Sequence, residues 1–291
     1  MSIEASTQLQ TFSEIAPLRQ QIQAWRSAGE RIALVPTMGN LHDGHLSLVH
    51  VAKQHATRVV ASIFVNPTQF GPKEDFASYP RTLAADQALL ASGGCDALFA
   101  PTVATMYSAQ AANAPSFAID VGAIGNILCG AVRPGHFSGV ATVVAKLFNI
   151  VQADVAVFGE KDFQQLLVLR NLVQQFNFPI EIIGAATIRE ASGLARSSRN
   201  QYLSSEEREQ ARLIYATLLQ MRDMRQRGVD GELVQAQALT ALTTAGFTPD
   251  YAVTRDAQTL DLIDISSKTE VAMIAARLGK ARLIDNIYWN C

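Results

Sequence analysis

Apolar residues first recur at helical spacing over residues 13–28, where Ile15, Leu18, Ile22 and Trp25 form one stripe, with Ser13 as the expected cap and Gly29 as the stop. The period then changes. Residues 32–35 (IALV) and 58–65 (RVVASIFV) are nearly continuous apolar runs, as parallel strands covered on both faces require. Between them, Leu46 to Lys53 returns to helical spacing. The pattern predicts a helix over 82–92, a short strand over 96–100 and an irregular, Ala/Gly/Pro-rich stretch over 101–135. A helix over 139–151 carries Val140, Val143, Val144, Leu147 and Ile150. A strand over 154–158, a helix to 176 and a buried strand over 180–184 follow.

Strand and helix alternating at this spacing predict an α/β fold, a Rossmann-like parallel sheet with helices on both faces. Right-handed crossovers place the carboxyl ends of its strands on one edge, where ligands bind in open α/β sheets. The pattern shifts near 185. A short hairpin or turn near 187–193 precedes a polar, basic stretch, 196–200. Ser204 and Glu207 form a capping box opening a single helix to 227, and a second helix spans 231–245. Antiparallel strands are expected over 251–254, 269–275 and 283–289. Two domains follow: a Rossmann-like one over 1–185 and a smaller α+β lid domain over 186–291.

Composition narrows the class. A chain of 291 residues with 48% hydrophobic and 17% charged residues is an ordinary globular sequence, and a net charge of −2 gives no electrostatic signal for nucleic acid or an anionic membrane. Cys95, Cys129 and Cys291 have no metal-ligand spacing and read as free thiols in a reducing cytoplasm. No apolar run reaches the roughly 18 residues of a membrane helix, and no signal-peptide pattern opens the chain. A cytoplasmic location is therefore expected.

The chemistry concentrates at strand ends. Residues 35–45 (VPTMGNLHDGH) join a strand to a helix through a Gly-containing turn, the geometry in which backbone N–H groups and a helix dipole meet a phosphate. His42 and His45 lie three apart and face one way. They read either as polar helix-start residues or as donors to charge growing on a phosphate; zinc binding lacks a third ligand at the right spacing. Asn66 and Gln69 offer neutral amides for a hydroxyl or carboxylate, or cap their own loop. Gly159, Glu160, Lys161 and Asp162 give a turn with a point charge for phosphate oxygens; Asp162 orients Lys161, meets a ribose hydroxyl or caps the helix. Of Gln164 and Gln165, one turn on, only one can face a cleft. Arg196, Ser197, Ser198 and Arg199 form a loop able to close over a triphosphate, or a solvated linker. Arg133 and His136 add cationic contacts or form a structural turn. No covalent nucleophile motif and no P-loop is present.

Taken together, P-T-M-G-x-L-H-x-G-H (36–45), F-V-N-P-x-Q-F (64–70), R-P-G-H-F-x-G-V-x-T-V-V (133–144), F-G-E-K-D-x-Q-Q (158–165) and S-S-R-N-x-Y-L (197–203) resemble the pantoate–β-alanine ligases, the pantothenate synthetases of the H-x-G-H nucleotidyltransferase superfamily. The motifs occur in that family's order. The resemblance implies a two-step ligase: the pantoate carboxylate attacks the α-phosphate of ATP, and the β-alanine amine then attacks the acyl adenylate. It implies Mg²⁺ on the phosphates, Asp86 near that metal, and a homodimer. Met38, Gly39, Asn40, Leu41, His42, Asp43, Gly44 and His45 are implied in ATP binding, as are Gly159 to Asp162, Ile188 and Arg196 to Arg199. His45, His42 and Lys161 are the implied catalytic groups. Gln69 and Gln165, with Asn66, His136 and Arg133, are implied around pantoate and β-alanine. Arg196 departs from the family pattern, which places Met or Leu there. The competing readings are another H-x-G-H nucleotidyltransferase or acyl-adenylating ligase, and a nucleotide sensor without turnover.

Overall fold

The computed structural model describes residues 9–72, 74–107 and 117–291. Part of the stretch expected to be irregular, 108–116, lies outside the described residues. Along the first part of the chain run β1 (Gln10–Phe12), α1 (Ile15–Ser27), β2 (Ile32–Thr37), α2 (Asp43–His55), β3 (Arg58–Ile63), α3 (Leu83–Ser92), β4 (Ala97–Phe99), α4 (Val103–Tyr107), α5 (Cys129–Val132), α6 (His136–Val151), β5 (Val155–Gly159), α7 (Phe163–Gln175) and β6 (Glu181–Ala185). The six strands form one parallel sheet in the order β1-β4-β3-β2-β5-β6. The chain therefore steps outward in one direction from β2 and resumes on its other side at β5. That reversal makes the β2/β5 junction the switch point, with Thr37 and Gly159 at the strands' carboxyl ends.

Alternate side chains explain the two covered faces. Ala33, Val35, Val59, Ala61, Leu98, Val155 and Val157 pack with Leu48, Val49 and Ala52 of α2 and Leu90 of α3. Ile32, Leu34, Val60 and Ala156, on the opposite face, are also completely buried.

Local expectations needed corrections: the stretch expected to be irregular, 101–135, carries the short helices α4 and α5. Ser13 does not cap α1; Glu14 is its N-cap, without a side-chain bond. α6 starts at His136 rather than 139, because Gly135 enters the helix with φ 81°, a left-handed value that suits glycine. The single helix expected to 227 is two, α8 (Ser205–Ala211) and α9 (Leu213–Gln226). Arg212 keeps right-handed angles but its N–H turns to the Gln210 carbonyl, outside the regular ladder. The Ser204/Glu207 capping box is formed as expected. The three-residue β1 carried no readable period and was missed.

Contacts divide the chain into two units. One comprises Met1–Gly125, Arg133–Gly159 and Val168–Ala185; the other comprises Ala186–Cys291 with two earlier segments, Asn126–Val132 and Glu160–Leu167. In the second unit, β7 (Thr248–Asp256), β8 (Thr269–Leu278) and β9 (Ala281–Asn290) form an antiparallel sheet. One face packs Ala252, Ile274 and Leu283 against Ile214 and Leu218 of α9 and Val234 and Leu242 of α10 (Gly231–Thr244). The other face explains the two borrowed segments. Arg282 reaches Cys129 Sγ at 3.4 Å, and Asn286 reaches the carbonyls of Glu160 and Lys161 at 2.9 Å each. Among the described residues no helix is long and apolar enough to cross a membrane.

Cys95 and Cys129 are buried and Cys291 is exposed, all three as free thiols. Burial pushes the Cys95 thiol up to about 12. The native protein should therefore titrate one thiol, Cys291, with an aromatic disulfide reagent, and the other two only in denaturant. Rapid native labelling at Cys95 would contradict this packing.

Candidate active site

The loop leaving β2 turns through two left-handed residues, Gly39 (φ 84°) and Asn40 (φ 52°). A Cβ at Gly39 would lie 3.1 Å from both Asp86 Oδ2 and Ile63 Cγ2, so the tight approach requires glycine. Asp86, on α3 and 2% exposed, accepts the Asn40 N–H at 3.0 Å and the Leu41 N–H at 2.8 Å. Thr82 Oγ1 adds a third bond at 3.1 Å. The carboxylate thus takes two backbone N–H groups of the turn, those of Asn40 and Leu41. Asp86 thereby holds the loop that leaves β2. No group of three or more His, Cys, Asp or Glu side chains suited to a metal occurs among the described residues.

The two histidines build the start of α2. His42 is the N-cap, and its Nδ1 accepts the Gly44 N–H at 3.1 Å. His45, at N3, returns the bond: its Nδ1 accepts the His42 N–H at 3.2 Å. This is a capping box made from imidazoles where Ser and Glu are usual. The rings sit 4.2 Å apart, centroid to centroid. An Nδ1 that accepts carries no proton, so each neutral ring bears its proton on Nε2. The helix-start role is therefore formed, and it leaves the Nε2 position of each neutral ring to carry the proton. Asp43 places a carboxylate in the first turn of α2.

Gln69 is reached through a network of its own. Its Oε1 accepts Asn66 Nδ2 at 3.1 Å and its Nε2 lies 3.2 Å from Met38 Sδ, so the structure brings Gln69 and Met38 together. Asn66 is only 1% exposed. It also donates to the Gly139 carbonyl at 3.2 Å and accepts Tyr107 Oη at 2.7 Å and Thr68 Oγ1 at 3.0 Å. Both amide ends of Asn66 are thus bonded inside the protein, and one of those bonds supports Gln69. Arg133 and His136 act similarly. His136 Nδ1 lies 2.9 Å from the Gln69 carbonyl, an acceptor, so Nδ1 carries the proton. His136 Nε2 then accepts Arg133 Nη1 at 3.0 Å. Arg133 forks onto Glu74 at 2.6 and 2.7 Å. Burial raises the Glu74 carboxyl, but the hydrogen bonds and charge of Arg133 outweigh it and hold the group below the usual range. The cation is neutralised and grips the backbone of Gln69.

In the second unit, one recess is lined by Lys161, Ser197, Asn200 and Asp285, so the structure brings the two expected phosphate segments onto one surface. Lys161 Nζ lies 4.0 Å from Asp162 Oδ2. Gln164 is 3% exposed and consumed: it accepts the Cys129 N–H at 3.1 Å and donates to the Ile127 carbonyl at 2.9 Å. Gln165, half-buried, is the glutamine left at the surface. The expected hairpin is a bridge between Arg189 and Ala195, closed by the Arg196 N–H to the Ile188 carbonyl at 2.9 Å. Ile188 is exposed there, at 39%. Ser197 Oγ caps the turn that follows by accepting the Arg199 N–H at 3.2 Å.

Residues 10–288 match the family model described as pantoate-beta-alanine ligase. The chain belongs to the pantoate–β-alanine ligase family. Ligases of this family similar to it include a pantothenate synthetase of Shewanella amazonensis, 53% identical, with 96% of this chain and 99% of the relative covered. One from Xanthomonas oryzae pv. oryzae is 54% identical at the same coverages. The solved pantothenate synthetase of Thermus thermophilus superposes with TM-score 0.88 at 44% identity, covering 96% of this chain and 99% of that one. The pantoate-β-alanine ligase of Francisella tularensis, solved with β-γ ATP and β-alanine, gives TM-score 0.77 at 35% identity over 96% and 97%.

Within this family frame, sequence reasoning missed the supporting residues Glu74, Tyr107 and Thr82. Each lies tens of residues from, or outside, the motif it supports, so no local spacing marks it. Gly139 stands inside the R-P-G-H-F-x-G-V-x-T-V-V run. A side chain there would collide with the Gln69 loop, its Cβ 2.4 Å from the Thr68 carbonyl oxygen.

Proposed function

We propose that this protein condenses pantoate with β-alanine at the expense of ATP, through a pantoyl adenylate, giving pantothenate, AMP and pyrophosphate. The observation that carries this reading is the imidazole pair at the β2 edge of the switch point, each Nδ1 accepting a backbone N–H, which leaves Nε2 to carry the proton of each neutral ring. The pantoate carboxylate is the nucleophile, so no side chain needs to attack. As its oxygen bonds to the α-phosphorus, the bond to pyrophosphate breaks and negative charge grows on the departing oxygens. Nε2–H groups of His45 and His42 stabilise that charge without transferring a proton. Lys161 contributes a positive charge to the phosphates, with Ser197, Ser198 and Arg199 as further donors. Gln69 and Gln165 hold pantoate by their amides. In the second step the β-alanine amine attacks the acyl carbon, AMP leaves, and the amine loses its proton to solvent or product.

The family resemblance also supports Mg²⁺, a homodimer and a cytoplasmic location. Magnesium, as the resemblance implies it, would sit on the nucleotide's phosphates and offset their charge. The deciding assay is ATP–pyrophosphate exchange with candidate acids. Exchange should require pantoate; exchange driven by another acid and absent with pantoate would replace this reading with the broader adenylating class.

A further inference from the structure

β9 carries two adjacent buried polar residues, Asp285 at 4% and Asn286 at 5% exposure. Neighbours on a strand point to opposite faces, so the pair serves both sides of the sheet. On one side Asp285 receives the Arg189 guanidinium as a fork, Nη1 at 2.6 Å and Nη2 at 3.0 Å. Arg189 belongs to the hairpin that leads into 196–199. It also donates to the Gly193 carbonyl at 3.1 Å and stacks on Tyr215 at 3.8 Å. On the other side Asn286 Nδ2 donates at 2.9 Å to both the Glu160 and Lys161 carbonyls. Only the amide nitrogen can satisfy two carbonyls, which fixes the orientation of the Asn286 side chain. The Asn286 N–H bonds back to Asp285 Oδ1 at 2.8 Å, locking the two grips together.

We infer that Asp285 and Asn286 form a two-sided clamp that sets the Lys161 turn against the 188–199 hairpin, and that Asn286 is a positioning residue for Lys161. The physical argument is one of placement. The 160–162 turn is a single 3₁₀ turn, too short to fix itself through its own ladder. Its two carbonyls are anchored by one side chain on a ten-residue strand that is paired to β8 along its whole length. Lys161 is a long, flexible cation whose value to a phosphate depends on where its backbone starts. This inference rests on the proposed role of Lys161.

The test is a double-mutant cycle in ATP–pyrophosphate exchange on the full chain, with thermal melting alongside. Lys161→Ala alone reports the functional reading. Asn286→Ala and the isosteric Asn286→Asp report the clamp, since both remove the two donated bonds. Each Asn286 variant should lower exchange about tenfold in the native background, the scale of a sub-ångström misplacement, and should add nothing further in Lys161→Ala. Equal losses in both backgrounds, or no loss in either variant, would overturn the clamp while leaving the Lys161 role standing. Loss of cooperative melting in both Asn286 variants would assign Asn286 to stability alone and likewise overturn it. Full activity of Lys161→Ala would instead remove the functional reading of Lys161, and the inference with it.

Discussion

Replacing His45 with alanine should lower pantoate-dependent adenylation by roughly a hundredfold or more, about 3 kcal/mol, the usual loss when one transition-state donor is removed. Two effects are combined in that substitution, and the capping box separates them. Alanine removes the Nε2–H donor, and it also strips the His42 N–H of its Nδ1 acceptor. The second loss costs about 1 kcal/mol of stability, in the range of other capping residues. His45→Gln is the discriminating variant. Glutamine is a natural N3 partner in a capping box, so α2 should keep its start and the melting temperature should stay close to that of the parent. A glutamine folded back onto the backbone cannot also donate where the imidazole Nε2–H does. His45→Gln should therefore melt normally yet lose rate nearly as His45→Ala does. Recovery of adenylation in the glutamine variant would show that the histidine only caps the helix.

Gly139→Ala should raise the pantoate KM at least tenfold, with ATP affinity nearly unchanged, although alanine is normally the better helix former. The added Cβ would lie 2.4 Å from the Thr68 carbonyl oxygen, 2.7 Å from its carbon and 2.8 Å from the Gln69 nitrogen. These are backbone atoms with no rotamer to change, so α6 and the 66–70 loop must separate. The Asn66 Nδ2 bond to the Gly139 carbonyl would stretch with them, and with it the support of Gln69. Overpacking of this kind costs about 1–3 kcal/mol of stability, and a loop displaced by about an ångström can cost a bound substrate its productive pose. Substrate titrations of exchange measure both KM values. An unchanged pantoate KM would place Gln69 away from pantoate or show a loop that absorbs the shift.

Much of the fold could be read from periodicity because its elements satisfy local rules. The apolar runs of β2, β3 and β5 are buried on both faces, and the stripe of α6 is long and regular. What escaped was short or made by distant partners: the three residues of β1, the break at Arg212, and the capture of 126–132 and 160–167 by the second unit. Those two segments belong there because the far face of the β7–β9 sheet needs covering, a need invisible in either segment.

The candidate site divides in the same way. Which residue types stand at the strand ends, and hence the family and its chemistry, was legible in the motifs, since each is a contiguous run with its own geometry. How those residues are used depended on contacts between segments far apart in the chain. His42 Nδ1 accepts the Gly44 N–H and His45 Nδ1 the His42 N–H, which leaves Nε2 to carry each neutral ring's proton. Asp86 fills the N–H pair at Asn40 and Leu41 from 46 and 45 residues away. Asn66, Arg133 and His136 each place one bond on Gln69 and others on Gly139, Tyr107 and Glu74. Polar groups that are buried must be paired, and which partner completes each pair is set by the packing of α3, α6 and the sheet, not by any spacing along the chain.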